Sequence, residues 1–523
     1  MSDSLSGYRH RSRSGCNTCK AARIKCDEHR PSCQTCSDRN VACQGYAKTL
    51  KWVTVPGPAS QRAQDVQFNP RRRGWAILNS NQFASHRPDT GQPCGAPRQH
   101  RAMILAPRPS RSLTFGFSFN HDGDDSLLRH WMDQIPDLVF PNPKSFKRIR
   151  DAQLITMVEP NSILLPMVLA GASAHLCNAG IFPRTEMLVR KQTAIASLLK
   201  ACSASEGVAS ESVDALVTAA VNLIGVEVMQ GSNLDIILPL IRGAVSLVER
   251  RCSLPEDVPW SAFNLPVQAS IKMLAWHDTM TCVPFPRQNS LGISYWYSSQ
   301  FSELPISMEV EPDAMLGYCG TILPLITAAA ILIRHYYEHK ISESKFCSLQ
   351  AGLLDRISQA MGILPLPYYI SELPAATAPT DSIHSTHNAC VNAAISHAVA
   401  TKIYLLRATD HDYTSPTIIY LVNCLARSVA NVQRTSAVIT MMLWPLFVLG
   451  CESFGNNLKW RQTVIETLQF LFQRTSLLNV SRCEEALVSR IWPLSQAGVV
   501  MSDRSHASWL RFCYEEKIQL DLS

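Results

Sequence analysis

The chain has 523 residues, of which 46% are hydrophobic and 17% are charged. This balance favours a folded protein of about two to four domains and excludes disorder over most of the length. The net charge of +7 is unevenly spread, because residues 1–120 hold 19 basic and 6 acidic side chains. A basic head on a mildly acidic body favours a polyanion as the partner of that head, although solvated basic tails share this composition.

Cysteine usage and the first residues indicate the compartment. Six of the 18 cysteines lie within residues 16–43, and the other twelve are widely spaced. Those twelve are interpreted as small buried hydrophobes or free thiols in a reducing compartment. The first fifteen residues are polar and basic, without the apolar segment of a secretory signal peptide. We therefore expect the chain in the cytosol or the nucleus.

The six clustered cysteines follow the spacing C-x2-C-x6-C-x6-C-x2-C-x6-C, which consists of two matching halves. Two zinc ions with four ligands each need eight ligands, and six thiolates supply them only where two sulfurs bridge. The spacing predicts a helix that starts at each C-x-x-C, with the third cysteine about two turns later. Zinc ribbons, redox sites and disulfide frameworks also use C-x-x-C pairs. A zinc ribbon needs four ligands and would leave two of the six cysteines without a role. Redox motifs do not occur as two matching sets of three cysteines, so a two-zinc cluster is favoured.

Residues 16–43 resemble the six-cysteine binuclear zinc cluster of fungal transcription factors. The resemblance implies a DNA-binding domain over residues 1–46 that holds two structural zinc ions. It further implies that Cys16 and Cys33 bridge the ions. The remaining four ligands are implied to be terminal: Cys19, Cys26, Cys36 and Cys43. Pro31 matches the proline that turns the loop between the halves.

Three cations lie between the second and third cysteines, namely Lys20, Arg23 and Lys25. On a helix, positions 20 and 23 share one face. The resemblance implies that Arg23 reads a CGG-like triplet in the major groove of double-stranded DNA, where a long cation donates to guanine, while Lys20 and Lys25 contact phosphates. Ala22 departs from the second cation usual in relatives, and a solvated helix face is the alternative interpretation. Upstream, Arg11 and Arg13 are expected to attract phosphates or to serve nuclear import.

Residues 47–123 are predicted to form a flexible linker, because they contain eight prolines and little apolar periodicity. No heptad repeat occurs between the prolines, so no coiled coil is expected after the cluster. The segment 1–123 is accordingly predicted to be monomeric. Any homodimer is expected to form through the domain that follows.

Residues 124–523 are predicted to form one large all-α domain, since apolar residues recur at helical spacing. Asp125 or Ser126 is expected to cap a first helix that Pro136 ends. Further helices are predicted over residues 212–229, 387–407, 460–472 and 484–491. Two uncharged runs, 314–333 and 435–451, are interpreted as buried helices rather than membrane spans.

This body also resembles the regulatory domain that is specific to fungal transcription factors. The resemblance rests on Trp444 to Phe447, on Gly450 to Glu452 and on Trp492, together with Tyr46 and Trp52 after the cluster. It implies an all-helical regulatory domain. Ordinary helix packing is the alternative explanation for the spacing of Trp444 and Phe447.

Two hypotheses of function follow. The first is a nuclear, sequence-specific regulator of RNA polymerase II transcription, acting on a metabolic pathway or biosynthetic gene cluster, with DNA and the transcription machinery as partners. The second is a metabolite-binding or enzymatic helical protein, in which the zinc cluster serves only to dock it to chromatin or to another protein. No catalytic motif was found, and the pairs at 277–278 and 411–412, each His-Asp, are interpreted as surface pairs. The long aliphatic runs favour the regulator, which is expected not to be an enzyme.

Overall fold

The computed structural model divides the chain into two compact units, Met1–Arg101 and Ala102–Ser523. It describes residues 16–22, 24–29, 32–43, 123–158, 162–204, 210–251, 263–287, 290, 311–365, 382–410, 412–453, 459–493 and 508–523. The break between the units falls inside the predicted linker. Apart from Gly123 at its end, the prediction for that linker lies outside the described residues.

The described residues of the first unit form two helices of five residues, α1 (Asn17–Ala21) and α2 (Gln34–Asp38). Each starts directly after the first cysteine of its half, as the spacing predicts. The expectation that the third cysteine follows on the same helix is wrong. Helix α1 ends at Ala21, and Cys26 lies in the non-helical segment 24–29. Helices this short are marginal without packing, so the chain leaves the helix to bring its third sulfur inward.

The described part of the second unit is predominantly helical, which confirms the predicted fold class. No strand occurs among the residues that the structure describes there, where one isolated antiparallel bridge joins Asp313 and Gly317. Its helices are α3 (Asp124–Asp133), α4 (Ile135–Val139), α5 (Pro143–Val158), α6 (Leu164–Asn178), α7 (Arg184–Ala204), α8 (Ser210–Met229), α9 (Leu234–Arg251), α10 (Leu265–Met280), α11 (Leu323–Tyr337), α12 (Glu343–Gly362), α13 (Ser382–Leu406), α14 (Pro416–Asn431), α15 (Leu443–Cys451), α16 (Lys459–Thr475), α17 (Leu478–Ala486) and α18 (Trp509–Glu515). Short 3-10 segments span Cys319–Thr321 and Ala437–Met442, and a π turn at Leu487–Ile491 extends α17.

The predicted helices at 212–229, 387–407, 460–472 and 484–491 correspond to α8, α13, α16 and the end of α17 with its π turn. The details at α3 differ. Its N-cap is Gly123, with φ of 102°, and Ser126 Oγ donates back to the Gly123 carbonyl at 2.7 Å. Pro136 does not end the helical path but occupies the first turn of α4, where its missing N–H costs no hydrogen bond.

Residues 437–451 of the uncharged run 435–451 are buried, as expected, whereas Thr435 at its start is exposed. Every residue of α15 is buried, and Trp444 packs edge-on against Tyr404 with ring centroids 5.3 Å apart. Two other segments, Cys319–Tyr337 and Ser385–Leu406, are long and apolar enough to cross a membrane, with 56% and 83% of their apolar windows buried inside the domain. A helix that is apolar all round suits the core of a large helical domain, which accounts for their hydropathy.

A buried ion pair joins the ends of α13 and α15. Arg407 Nε and Nη2 donate to the two carboxylate oxygens of Glu452 at 2.8 and 2.7 Å, and the two side chains are 1% and 2% exposed. Trp509 Nε1 also donates to Glu452, at 2.6 Å, and the guanidinium lies 4.2 Å from the ring centroid of Tyr413. Burial alone would lower the pKa of Arg407, but its hydrogen bonds and charge pairing with Glu452 outweigh this and raise it. The pair thus holds α18 against the centre of the domain.

The interpretation of His277 and Asp278 as a surface pair is wrong, because the two residues are 5% and 1% exposed. They point to different partners, as neighbours on a helix do. His277 Nδ1 lies 2.8 Å from Ser523 Oγ, and the Asp278 carboxylate accepts from the Ser290 backbone N–H at 2.8 Å. The second pair includes His411, which lies outside the described residues.

Candidate metal centre

Six thiols converge in the first unit as two overlapping groups of four. One group is Cys16, Cys19, Cys26 and Cys33, and the other is Cys16, Cys33, Cys36 and Cys43. Within each group the Sγ atoms lie within 4.8 Å of one another. Cys16 and Cys33 belong to both groups, and their Sγ atoms are 3.5 Å apart. The six thiols therefore form two four-ligand sites with a shared edge.

The sulfur spacing fits tetrahedral zinc. A Zn–S bond of about 2.3 Å places neighbouring ligand sulfurs roughly 3.8 Å apart. The Sγ atom of Cys33 lies 3.6 Å from that of Cys19, and the Sγ atom of Cys16 lies 3.7 Å from that of Cys36. All six thiols are free of disulfides. Burial raises the pKa of the Cys19 thiol to about 12, so a bound cation must replace the proton there.

Backbone N–H groups already face the sulfurs. The Cys19 N–H donates to Cys16 Sγ and the Cys36 N–H donates to Cys33 Sγ, both at 3.3 Å. In each half, this bond crosses the first turn of a helix, where the helix dipole favours negative charge. Thiolates at positions 16 and 33 thus gain stabilisation from the local fold as well as from metal.

Asp27 is a supporting residue that the sequence analysis did not single out. Its carboxylate accepts hydrogen bonds from the Thr35 N–H at 2.9 Å, the Thr35 hydroxyl at 2.7 Å and the Gln34 N–H at 3.0 Å. These bonds, with the Thr35 N–H first, hold the pKa of Asp27 well below its usual range. They tie the segment after Cys26 to the start of α2, so one half of the cluster positions the other. The feature of the sequence that could have indicated this role is the acidic residue directly after the third cysteine.

The proposed DNA contacts are only partly described. Lys25 is exposed in the segment 24–29, and Lys20 lies on α1, which ends at Ala21 before position 23. Arg23, Arg11 and Arg13 lie outside the described residues, so their roles stay predictions.

Both regions of the chain match known families. Residues 14–53 match the fungal Zn(2)-Cys(6) binuclear cluster domain. Residues 126–522 match the fungal specific transcription factor domain. The first match and the paired thiol groups agree that this domain binds two zinc ions.

Curated relatives match over short stretches of the chain. The aspercryptin biosynthesis cluster-specific transcription regulator of Emericella nidulans is 49% identical over 59 residues, which are 11% of this chain and 10% of that protein. Sterol uptake control protein 2 of Candida albicans is 51% identical over 39 residues, covering 8% of this chain and 5% of the relative. Arginine metabolism regulation protein II of Saccharomyces cerevisiae is 41% identical over 56 residues, which are 11% of this chain and 5% of that protein. The chain thus spans a tenth or less of the length of these relatives. No solved structure matches the chain.

Proposed function

Since the chain belongs to the family of the fungal specific transcription factor domain, we propose that it is a sequence-specific DNA-binding regulator of RNA polymerase II transcription. The observation that carries the proposal is the pair of four-thiol groups that share Cys16 and Cys33. Zinc in such a site is structural, because every coordination position is filled by a thiolate. Cys16 and Cys33 are proposed as the bridging ligands. The terminal ligands are proposed to be Cys19, Cys26, Cys36 and Cys43.

The chemistry of a short basic segment beside the cluster supports DNA as the partner. A segment too small for its own hydrophobic core needs the metal to fold, and the folded cluster then presents its cations in one arrangement. Arg23 is proposed to donate to a guanine edge of a CGG-like triplet, and Lys20 and Lys25 to contact phosphates. Arg11 and Arg13 are proposed to add attraction that is independent of sequence.

Replacement of Arg23 by alanine is expected to weaken binding to DNA that contains the preferred triplet by about 1–3 kcal/mol, roughly 5- to 150-fold, and to relax specificity. Arg23→Lys keeps a long cation that still donates to guanine but lacks the planar guanidinium, so it should retain binding to random DNA and keep part of the preference for the triplet. Arg11→Ala should weaken binding to all DNA sequences alike and reduce the slope of log affinity against log salt concentration by about one. Fluorescence anisotropy of the full chain on matched and scrambled duplexes measures these changes. Equal losses on both duplexes for Arg23→Ala would make it a phosphate contact.

The wider organisation is proposed on the same basis. Residues 1–46 are proposed to bind DNA, and residues 47–123 to connect them to the regulatory domain. Residues 124–523 form that domain, which is proposed to receive signals and to contact the transcription machinery. A homodimer is proposed to form through the helical domain, in the nucleus, where the DNA lies. The family is one of transcription regulators, and we propose no catalysed reaction. The names of the relatives support a metabolic pathway or a biosynthetic gene cluster as the target.

A further inference from the structure

A cavity of about 150 Å³ lies inside the helical domain. Helices α3 to α5, α8 and α10 line it, together with the 3-10 segment Ala437–Met442 and the start of α17. Four aromatic side chains dominate the apolar lining: Trp131, Phe140, Phe146 and Trp276. An apolar cavity of about this volume accommodates a molecule the size of benzene.

One buried polar atom in the wall has no partner. Asn479 is 3% exposed and lines the cavity. Its Nδ2 donates to the Ser523 carbonyl at 2.8 Å, which fixes the amide, whereas its Oδ1 accepts no hydrogen bond from the described residues. A buried acceptor left unpaired is unfavourable, and such atoms normally meet a partner from protein, water or ligand. The cavity wall therefore contains a buried, fixed acceptor that lacks a hydrogen bond.

The other polar groups of the lining include one ionisable side chain, His277. Neither Lys, Arg, Asp nor Glu occurs among the lining residues. Burial lowers the pKa of His277, against the opposing charge of Asp521, so the imidazole is neutral at physiological pH. Gln153 is 8% exposed and also lines the cavity.

We propose that this cavity binds a small aromatic molecule that carries one hydroxyl or N–H group, which donates to Asn479 Oδ1. The aromatic walls cover the ring, and the fixed amide oxygen receives the donor. The bound molecule contacts elements that lie far apart in the sequence, from Trp131 to Ser523, and so stabilises their packing. This site goes beyond the proposed DNA-binding function, and its test measures the binding of a small molecule rather than the binding of DNA.

The test uses phenol and toluene as probes on the full chain, because the two are similar in size and differ in the donor. Phenol should raise the midpoint of thermal unfolding saturably, since binding to the folded state stabilises it. Toluene leaves Asn479 Oδ1 unpaired and should bind at least about 10-fold more weakly in calorimetric titration. In Asn479→Leu this preference should reverse. Toluene binding as well as phenol to the unmodified chain would overturn the proposal.

Gly225 offers a second, independent variant. A Cβ added there meets no atom within 4 Å, and the residue lies on α8 in the cavity wall. Gly225→Leu places a side chain in the cavity and should abolish phenol binding while the chain stays folded. Gly352→Leu on α12 is the matched control, since its Cβ is equally free and its position is exposed. Both variants remove a helical glycine, so both gain helix propensity. Unchanged phenol binding in Gly225→Leu would place the ligand elsewhere and overturn the proposal.

Discussion

Replacement of either shared cysteine, Cys16 or Cys33, by alanine should reduce the zinc content from two ions per chain to fewer than one. Each of these sulfurs belongs to both four-thiol groups, so its loss leaves two incomplete sites. Because metal binding and folding of such a small unit are coupled, specific DNA binding should fall by about 1,000-fold or more, to the level of non-specific attraction. Elemental analysis and duplex titration of the full chain measure the two effects.

The terminal cysteines provide the comparison. Cys43→Ala removes a ligand from one group alone and should leave about one zinc ion bound. Cys347, an exposed thiol on α12, should be replaceable by alanine with both ions retained. If Cys33→Ala and Cys43→Ala each kept one zinc ion, the shared-sulfur arrangement would be refuted.

The second large effect concerns the helical domain. Glu452→Ala should lower the free energy of unfolding by about 3–5 kcal/mol, because it leaves the guanidinium of Arg407 buried without its carboxylate and frees Trp509 Nε1. Denaturant unfolding followed by tryptophan fluorescence is the measurement. A double variant, Arg407→Met with Glu452→Leu, removes both charges and should recover part of the loss.

An exposed ion pair serves as the control for that experiment. Arg434 and Glu466 lie 3.6 Å apart, with side chains 44% and 50% exposed. Glu466→Ala should cost at most about 1 kcal/mol, since solvent screens such a pair. A loss at Glu452 no larger than that at Glu466 would show that the buried pair contributes no more than a surface one.

The cysteine cluster and the helical class were predictable from the sequence because their signals are local. The spacing of six cysteines specifies a donor set, and apolar periodicity specifies helices such as α8 and α16. The length of α1 was not predictable in this way. Contacts between distant residues accompany the turn toward Cys26, since the Cys16 N–H donates to Cys26 Sγ and Asp27 accepts hydrogen bonds from residues seven and eight positions further on.

Long-range pairing accounts for what sequence reasoning missed. Arg407 and Glu452 are 45 residues apart, and nothing in either segment indicates the other. His277 and Asp278 resemble surface residues because both are polar, yet the fold supplies partners for them from Ser523 and Ser290. The cavity beside Asn479 likewise exists only when α3, α8, α10 and α17 meet.

Selection from a random duplex library with the zinc-loaded full chain tests the central claim most directly. We predict enrichment of sequences that contain a CGG-like triplet, loss of that enrichment when a chelator removes the zinc, and its return when zinc is restored. Recovery of sequences with no common triplet, or an enrichment that persists without zinc, would contradict the assignment of the chain as a zinc-dependent, sequence-specific DNA-binding regulator.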